Sequence, residues 1–380
     1  MWFQGGLTVA KIKVLNVTSD HNIGGAGRCI LTFLQHYDSE KFDVTVVVPY
    51  GSELISYIEA TKTRIIQTAG LENKSYSNQA VKELIKIFRH EKPDVVHTHA
   101  SFSARIAAKA CGIPIVYTRH SVFPNSPKIS KGIGKIINGF VNNITSNRII
   151  AVAQAAMDNL TEAGVCDKKI TVIKNGVKPI KRFTEQDLEN AKQFYGLKSE
   201  FVFAMIARVE DIKGHDFFLD AAKSIIKDYD NVKFMICGTG SYLEHIKNRV
   251  DAEGLADHVL VTGYIKDVTS VMNVIDVNVN ASYGTEATSL SLLEGMSIGT
   301  PIIASDYGGN PELVVDGLNG LLFKSKDSLE LEKNMRRLLD DSELYKKLSL
   351  GAEKLYNEKY TADIYARNIE DVYVSLVRRK

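Results

Sequence analysis

Short runs of apolar residues alternate with longer segments of helical periodicity along nearly the whole chain. Buried parallel strands read as short apolar runs, and the segments that connect them are usually helices. This alternation therefore predicts a doubly wound α/β architecture. The strands expected in the first half are residues 12–17, 42–48, 95–97, 115–118 and 149–152.

A polar, charged stretch at residues 181–198 interrupts the alternation, and a second series of strands follows it. Its expected members are residues 201–206, 232–237, 258–262, 274–280 and a strand that begins at Ile302. A chain of 380 residues also exceeds what one hydrophobic core usually serves. We therefore expect one domain over residues 11–180, a second over 198–360, and a C-terminal helix over 361–380.

The near-neutral net charge hides an asymmetry between the halves. Residues 1–180 carry 22 basic and 13 acidic side chains, a net +9, whereas residues 181–380 carry 25 and 32, a net −7. The first half is therefore expected to face an anionic partner such as a lipid phosphate or membrane surface, with a solvated basic face as the alternative.

The sequence favours a cytoplasmic protein. Its four cysteines are far apart, which indicates a reducing compartment and no metal cluster. No apolar run is long enough to span a bilayer, and no signal peptide is evident. The first ten residues fit no fold element and are interpreted as a tag remnant or a ragged start.

The most informative segment for function contains Glu286 and Glu294, eight residues apart. It runs from a polar loop into an apolar helix that Gly299 and Pro301 end. Ligands on open α/β sheets bind at such strand-to-helix junctions. Ser289 is expected to cap the helix, which leaves the amides that begin with Leu290 free to face an anion. A wholly helical segment would separate the two carboxylates by about 12 Å.

A basic element follows the strand at residues 201–206. Arg208 and Lys213 precede a glycine and an amphipathic helix. Fixed cations at such a junction suit an anionic ligand, because they stabilise negative charge without having to reorganise. Taken alone, such a pair of basic residues most often lies on the surface without a specific function, but the glutamate pair downstream favours a binding role.

These two elements resemble the retaining, nucleotide-sugar-dependent glycosyltransferases of the GT-B fold, in the group 1 family that is also called family 4. The resemblance implies two Rossmann-like doubly wound domains that face each other across a cleft. It implies that Arg208 and Lys213 bind the donor diphosphate, that Glu286 meets the donor sugar, and that Glu294 holds the ribose hydroxyls. It also implies that the C-terminal helix crosses back to the first domain.

The same resemblance extends to the ends of other strands. His120 lies where the family has a histidine close to the donor sugar and acceptor, although an isolated histidine is more often structural. Gly24 and Gly25 resemble the glycine-rich first loop, which approaches a phosphate or the acceptor. Gly238 matches the loop after a second-domain strand, and Tyr264 lies where the family contacts the base.

The segment 128–144 carries isoleucines and a phenylalanine at helical spacing, with lysines elsewhere. Such a stripe usually faces a core. The alternative is a helix that rests on a membrane or receives a lipid-linked acceptor.

The combined motifs predict a metal-independent, retaining enzyme. It would transfer a hexose or N-acetylhexosamine from a nucleoside diphosphate, most often UDP, to a hydroxyl of a glycan or lipid-linked acceptor, in cell-surface polysaccharide or glycolipid synthesis. No metal, other cofactor or nucleic-acid partner is expected. Two alternatives remain open at this stage: a nucleotide-sugar epimerase of the same fold, and a binding module without turnover.

Overall fold

The computed structural model describes residues 10–72 and 75–377, and its contacts divide the chain into two units. The N-terminal unit comprises the described residues up to His120, residues 124–176, and the chain from Ala362 onward. The C-terminal unit comprises residues 121–123 and 177–361. The first nine residues, which belong to the predicted tag remnant or ragged start, lie outside the described residues, as do the last three residues of the predicted C-terminal helix.

Seven parallel strands form the sheet of the N-terminal unit, in the order β3-β2-β1-β4-β5-β6-β7. Val14 pairs with Val44 of one neighbouring strand and with Val95 of the other. All three side chains are buried, because helices cover both faces of such a sheet. The strands are β1 (Ile12–Thr18), β2 (Phe42–Pro49), β3 (Arg64–Thr68), β4 (Val95–His99), β5 (Ile115–Arg119), β6 (Arg148–Ala151) and β7 (Ile170–Val172).

Helices connect the strands of this unit, and one more helix from the end of the chain belongs to it. They are α1 (Gly25–His36), α2 (Leu54–Glu59), α3 (Asn78–Glu91), α4 (Phe102–Ala110), α5 (Pro127–Ser130), α6 (Gly132–Ile144), α7 (Gln154–Glu162) and, at the end of the chain, α16 (Ala362–Val377). Ser77 and Ser101 cap α3 and α4 through their side-chain oxygens. Helix α16 packs in this unit, where the Tyr373 ring stands edge-on to Phe33 at 5.9 Å.

Six parallel strands form the sheet of the C-terminal unit, in the order β10-β9-β8-β11-β12-β13. They are β8 (Phe201–Ile206), β9 (Val232–Cys237), β10 (Val259–Gly263), β11 (Val277–Asn280), β12 (Ile302–Ser305) and β13 (Gly320–Phe323). The helices of this unit are α8 (Glu185–Tyr195), α9 (His215–Ile225), α10 (Leu243–Ala252), α11 (Thr269–Val274), α12 (Leu290–Met296), α13 (Asn310–Leu313), α14 (Ser328–Asp340) and α15 (Ser342–Lys359).

One predicted strand starts too early. Val274 is the last residue of α11, and the strand begins at Val277. Val271, Met272 and Val274 are buried in α11, so the apolar run that suggested a strand continues through a helix. Periodicity alone does not separate a short buried helix from a strand.

Both units share the Rossmann strand order, in which the connections reverse direction between the first and fourth strands. In the C-terminal unit these strands are β8 and β11, which pair directly. In the N-terminal unit they are β1 and β4. The carboxyl ends of these pairs are where open α/β sheets bind ligands.

Candidate active site

The loops that follow β8 and β11 contact each other at the carboxyl edge of the C-terminal sheet. A single 3-10 turn, Asp211–Lys213, ends the first loop and brings Lys213 to the start of α9. The Tyr283 amide of the second loop donates to the Ile212 carbonyl at 2.9 Å. Lys213 and Glu286, which are 73 residues apart in sequence, therefore become neighbours.

The centre of this site is an ion pair between Lys213 Nζ and Glu286 Oε2 at 2.9 Å. The ammonium also donates to the Thr285 carbonyl at 3.1 Å. Oε2 accepts two further hydrogen bonds, from Asn280 Nδ2 at 3.1 Å and from Ser282 Oγ at 3.0 Å. Both charged side chains are largely buried, at 12% and 9% exposure, so little water screens the pair. The arrangement holds both charges in position before any ligand arrives.

Glu294 lies on a different element from Glu286, within helix α12. Helix α12 begins at Leu290, with the Ser289 side chain accepting from the Leu292 amide, which confirms the predicted cap. The premise of a wholly helical spacing between the glutamates is wrong, because Glu286 lies in the loop before the cap and turns toward Lys213. The Gly309 amide donates to the Glu286 carbonyl at 3.1 Å and ties that loop to the one after β12.

Three more predicted residues follow neighbouring strands at the same edge. Arg208 is exposed on the loop after β8. Gly238 follows β9 with a φ of +149°, and a Cβ there would lie 1.9 Å from the Ala207 carbonyl oxygen, so only glycine fits. Its amide donates to the Gly263 carbonyl at 2.8 Å. Tyr264, next along the chain, is 62% exposed.

Sequence reasoning missed the polar residues that support Glu286. The Asn280 side chain donates to Glu286, while its Oδ1 accepts from the Ser282 amide at 3.1 Å. The fully buried Asn310 donates to Ser305 Oγ at 3.1 Å. The sequence feature that could have pointed to Asn280 is its place at the end of a buried strand, because a buried side-chain amide needs hydrogen-bond partners.

His120 belongs to a cluster of three histidines at the carboxyl edge of the N-terminal sheet. Its Nε2 lies 2.7 Å from Nδ1 of His99, and the two rings stack at 5.0 Å. The His97 ring lies 4.3 Å from that of His99. His97 Nδ1 lies 2.7 Å from the Tyr373 hydroxyl, and its Nε2 lies 2.6 Å from Thr118 Oγ1. Strands β4 and β5 are neighbours, which explains why residues 21 apart in sequence meet.

Burial keeps this cluster uncharged. It lowers the pKa of His97 to about 3 and the pKa of His120 to about 4. Burial, together with the two neighbouring rings, also lowers the pKa of His99 well below its ordinary value. At neutral pH the cluster therefore offers neutral imidazoles that donate and accept hydrogen bonds.

Gly24 and Gly25 lie at the start of α1, where Gly24 is the N-cap in an extended conformation. A Cβ at either glycine would meet no heavy atom within 4 Å, so neither is required by packing within the chain. These two glycines and His120 belong to the N-terminal unit, whereas the other predicted residues belong to the C-terminal unit. In the described part of the chain, no group of three or more His, Cys, Asp or Glu side chains is arranged to hold a metal ion.

Each half of the chain matches the sequence profile of a known protein family. The sequence profile described as Glycosyl transferases group 1 matches residues 187–355, and that of Glycosyltransferase Family 4 matches residues 23–180. The chain belongs to the group 1 glycosyltransferases. The predicted family is thus confirmed, and its two Rossmann-like domains are those of the GT-B fold.

Relatives and solved structures of these glycosyltransferases align over most of the chain. It is 29% identical to the Escherichia coli UDP-Gal:alpha-D-GlcNAc-diphosphoundecaprenol alpha-1,3-galactosyltransferase, over 98% of this chain and 99% of that enzyme. It is 28% identical to the Acholeplasma laidlawii alpha-monoglucosyldiacylglycerol synthase, over 78% and 79%. The fold superposes on Anabaena HepE in complex with UDP with a TM-score of 0.83 and 20% identity, covering 96% of this chain and all of that one.

Proposed function

We propose that this glycosyltransferase transfers a hexose or N-acetylhexosamine from a UDP-sugar to an acceptor hydroxyl, with retention of anomeric configuration. The acceptor is a glycan or lipid-linked sugar used in cell-surface polysaccharide or glycolipid synthesis. Residues 198–360 bind the donor. Residues 11–180, completed by the C-terminal helix, bind the acceptor.

The observation that carries this proposal is the Lys213–Glu286 pair at the carboxyl edge of β8 and β11. The ammonium of Lys213 is held by Glu286 and by the Thr285 carbonyl. A cation fixed in a largely buried site stabilises the charge that develops on a departing diphosphate without reorganising. Glu286 then orients the sugar through its hydroxyls, with Asn280 and Ser282 keeping the carboxylate in place.

Neighbouring groups at the same edge complete donor binding. Arg208 is assigned to the diphosphate, for which its planar fork is suited. Glu294 is assigned to the ribose hydroxyls. Ser289 caps α12 and Leu290 begins it, and their backbone groups are assigned to the donor at the start of that helix. The backbone of Gly238 is assigned to the nucleotide, and the ring of Tyr264 is assigned to its base.

The acceptor side is assigned to the N-terminal unit. His120 is the proposed group beside the acceptor hydroxyl and donor sugar, because a neutral imidazole can accept a hydrogen bond from a hydroxyl and position it. Gly24 and Gly25 present backbone without side chains at the start of α1, and close approach of a donor phosphate or acceptor fits that space. The Escherichia coli relative is named for a diphosphoundecaprenol-linked acceptor and the Acholeplasma laidlawii relative for the synthesis of monoglucosyldiacylglycerol. Both names support a lipid-linked acceptor.

We place the reaction at the cytoplasmic face of a membrane and without a metal. All four cysteines are free, as is typical of a reducing compartment. Arg208 and Lys213 take the role that a divalent cation has in metal-dependent transferases. Excess EDTA should therefore leave turnover unchanged, and loss of turnover that Mg²⁺ or Mn²⁺ restores would contradict this assignment.

A sugar-transfer assay tests the whole proposal. The purified chain is incubated with UDP-glucose, UDP-galactose and their N-acetylated counterparts, with and without a lipid-diphosphate-linked sugar. We expect UDP release that the acceptor accelerates and an α-linked product by NMR. A β-linked product would contradict retention. A sugar-nucleotide isomer formed without acceptor would identify an epimerase, and binding without chemistry would identify a module.

A further inference from the structure

Among the helices of the described residues, α6 carries the largest number of exposed large apolar side chains. Five large side chains on it, which we call the α6 apolar face, are between 43% and 76% exposed. They are Ile133, Ile136, Ile137, Phe140 and Ile144. Their spacing of three, four and seven residues places them on one side of the helix. The expectation that this stripe faces a core is therefore wrong.

The polar side of α6, rather than its apolar side, packs on the protein. Asn138 Nδ2 donates to the Ala163 carbonyl at 2.6 Å. Asn142 Oδ1 accepts from Arg105 Nη2 at 2.9 Å. This arrangement reverses the usual one for a surface helix, in which apolar residues face the core. The apolar face of α6 is therefore turned away from the unit that carries it.

Backbone contact keeps the helix in this orientation. Gly139 is buried, and a Cβ at that position would lie 2.1 Å from the Gly164 carbonyl oxygen. A Cβ at Gly164 would in turn lie 2.4 Å from the Lys135 carbonyl oxygen. Rolling α6 to bury the isoleucines would replace this glycine contact with bulkier side chains. The outward apolar face is thus built into the packing of α6.

The charges around α6 indicate what covers the face. Residues 127–144 contain Lys128, Lys131 and Lys135, all exposed, and no acidic residue. A second copy that docked through the same face would bring two such lysine sets together without a carboxylate from this segment. An anionic lipid surface offers both the apolar phase and the opposite charge.

The dimensions of α6 fit a position within the membrane interface. Thirteen residues give a helix of about 20 Å, which is shorter than the hydrocarbon core of a bilayer. Across residues 10–72 and 75–377, no helix is both long enough and apolar enough to cross a membrane. An amphipathic helix of this kind lies in the interface plane, with its apolar face buried at the boundary between headgroups and acyl chains.

We infer that the α6 apolar face docks on an anionic lipid bilayer and holds the N-terminal unit against the surface in which a lipid-linked acceptor resides. The inference rests on the proposed function for the identity of that acceptor. The docking itself depends only on α6 and the lysines beside it.

Vesicle co-sedimentation tests the docking with the full chain. Vesicles of phosphatidylcholine alone are compared with vesicles that also contain phosphatidylglycerol. We expect binding to the anionic vesicles. The triple variant Ile133→Ser, Ile137→Ser, Phe140→Ser should weaken it more than about a hundredfold. The variant Lys128→Gln, Lys131→Gln, Lys135→Gln should weaken it about a hundredfold, and added salt should do the same to the wild type.

A matched control substitutes Leu329 and Leu350 by Ser, since both are highly exposed leucines of the C-terminal unit. This variant should bind vesicles like the wild type. Unaltered binding in both triple variants, or no binding by the wild type, would overturn the inference. A dimer measured by light scattering that the apolar triple variant dissociates, without vesicle binding, would assign the face to a second copy and would also overturn it.

A water-soluble, short-chain acceptor separates this inference from the proposed function. The triple variants should transfer sugar to it at the wild-type rate, because their substitutions lie outside the candidate active site. Vesicle binding without transfer to any acceptor would refute the proposed function and leave the docking surface supported. Sugar transfer by a chain that does not bind vesicles would refute the docking surface and leave the proposed function supported.

Discussion

The two units have the same strand order, but one carries charged groups at its carboxyl edge and the other carries neutral ones. Both sheets have the same strand order around β1 and β8, and both carry their candidate groups at the carboxyl edge. In the C-terminal unit that edge presents the Lys213–Glu286 pair and the exposed Arg208. In the N-terminal unit it presents three neutral, clustered histidines.

This difference shows that strand order fixes where a site forms, whereas side chains fix what the site does. Fixed charges suit a diphosphate, which is anionic before the reaction and more so after it. Neutral imidazoles suit a hydroxyl, which must be positioned and finally lose a proton. The comparison predicts that substitutions in the two units affect different kinetic parameters.

The largest effect is expected at the charged edge. Lys213→Met should lower kcat/KM for the donor by about 100- to 1000-fold, or about 3–4 kcal/mol, because it removes a fixed cation and leaves the Glu286 carboxylate without its partner. Steady-state kinetics with the preferred UDP-sugar measure this. Lys247→Met is the control, since that lysine pairs with Glu244 on the surface, and it should stay within about twofold. Equal turnover in the two variants would show that Lys213 does not stabilise the departing diphosphate.

The next effect tests the neutral edge. His120→Ala should lower the transfer rate by about 100-fold, because the acceptor hydroxyl loses the imidazole that positions it through a hydrogen bond. The affinity for UDP, measured by calorimetry, should not change. His90→Ala, at an exposed histidine of α3, is the matched control. A loss of UDP affinity as large as the loss of rate would show that the units do not divide the work in this way.

Stability should also depend on pH through the N-terminal cluster. The folded-state pKa values of His97 and His120 lie below the ordinary value of 6.5, so the fold favours the neutral rings. Their stabilisation is complete above pH 6.5 and is lost as the pH falls toward 4. At pH 5 each of these two rings should lower the free energy of unfolding by about 2 kcal/mol relative to neutral pH.

Thermal unfolding at pH 7 and pH 5 measures that cost. The wild-type midpoint should fall by several degrees, and His97→Gln should show a smaller drop. His90→Gln should behave like the wild type. A drop that His97→Gln does not reduce would assign the acid sensitivity to other groups.

The smallest effect is expected at Glu294. Glu294→Gln should raise the donor KM about tenfold and leave kcat nearly unchanged, because a charge-assisted hydrogen bond to the ribose becomes a neutral one. Comparison with a donor analogue that lacks ribose hydroxyls measures the coupling. If the Glu294→Gln variant discriminated between the two donors as strongly as the wild type does, the ribose assignment would be wrong.

Sequence reasoning found the long, strongly apolar strands and both loops that carry the charged pair. It missed β3, β7 and β13. Strand β7 has three residues and β13 begins with Gly320, so neither has the length or composition of a typical apolar run. Strand β3 carries Arg64 and Gln67 among few apolar residues, which weakens its signal at the edge of the sheet.

Contacts between distant residues explain the remaining differences. The pairing of His99 with His120 depends on β4 lying beside β5, which no local pattern reveals. The support of Glu286 by Asn280 depends on a loop that turns back before α12. Periodicity identified the stripe on α6, but the side that meets the protein is decided by Asn138 and Gly139.

A crystal structure of this chain with bound UDP would show whether the carboxyl edge of β8 and β11 holds the donor. The expected result is diphosphate oxygens within hydrogen-bond distance of Lys213 Nζ and the Arg208 guanidinium, with the ribose hydroxyls at the Glu294 carboxylate. A nucleotide bound away from the carboxyl edge of β8 and β11, with the Lys213–Glu286 pair untouched, would contradict it.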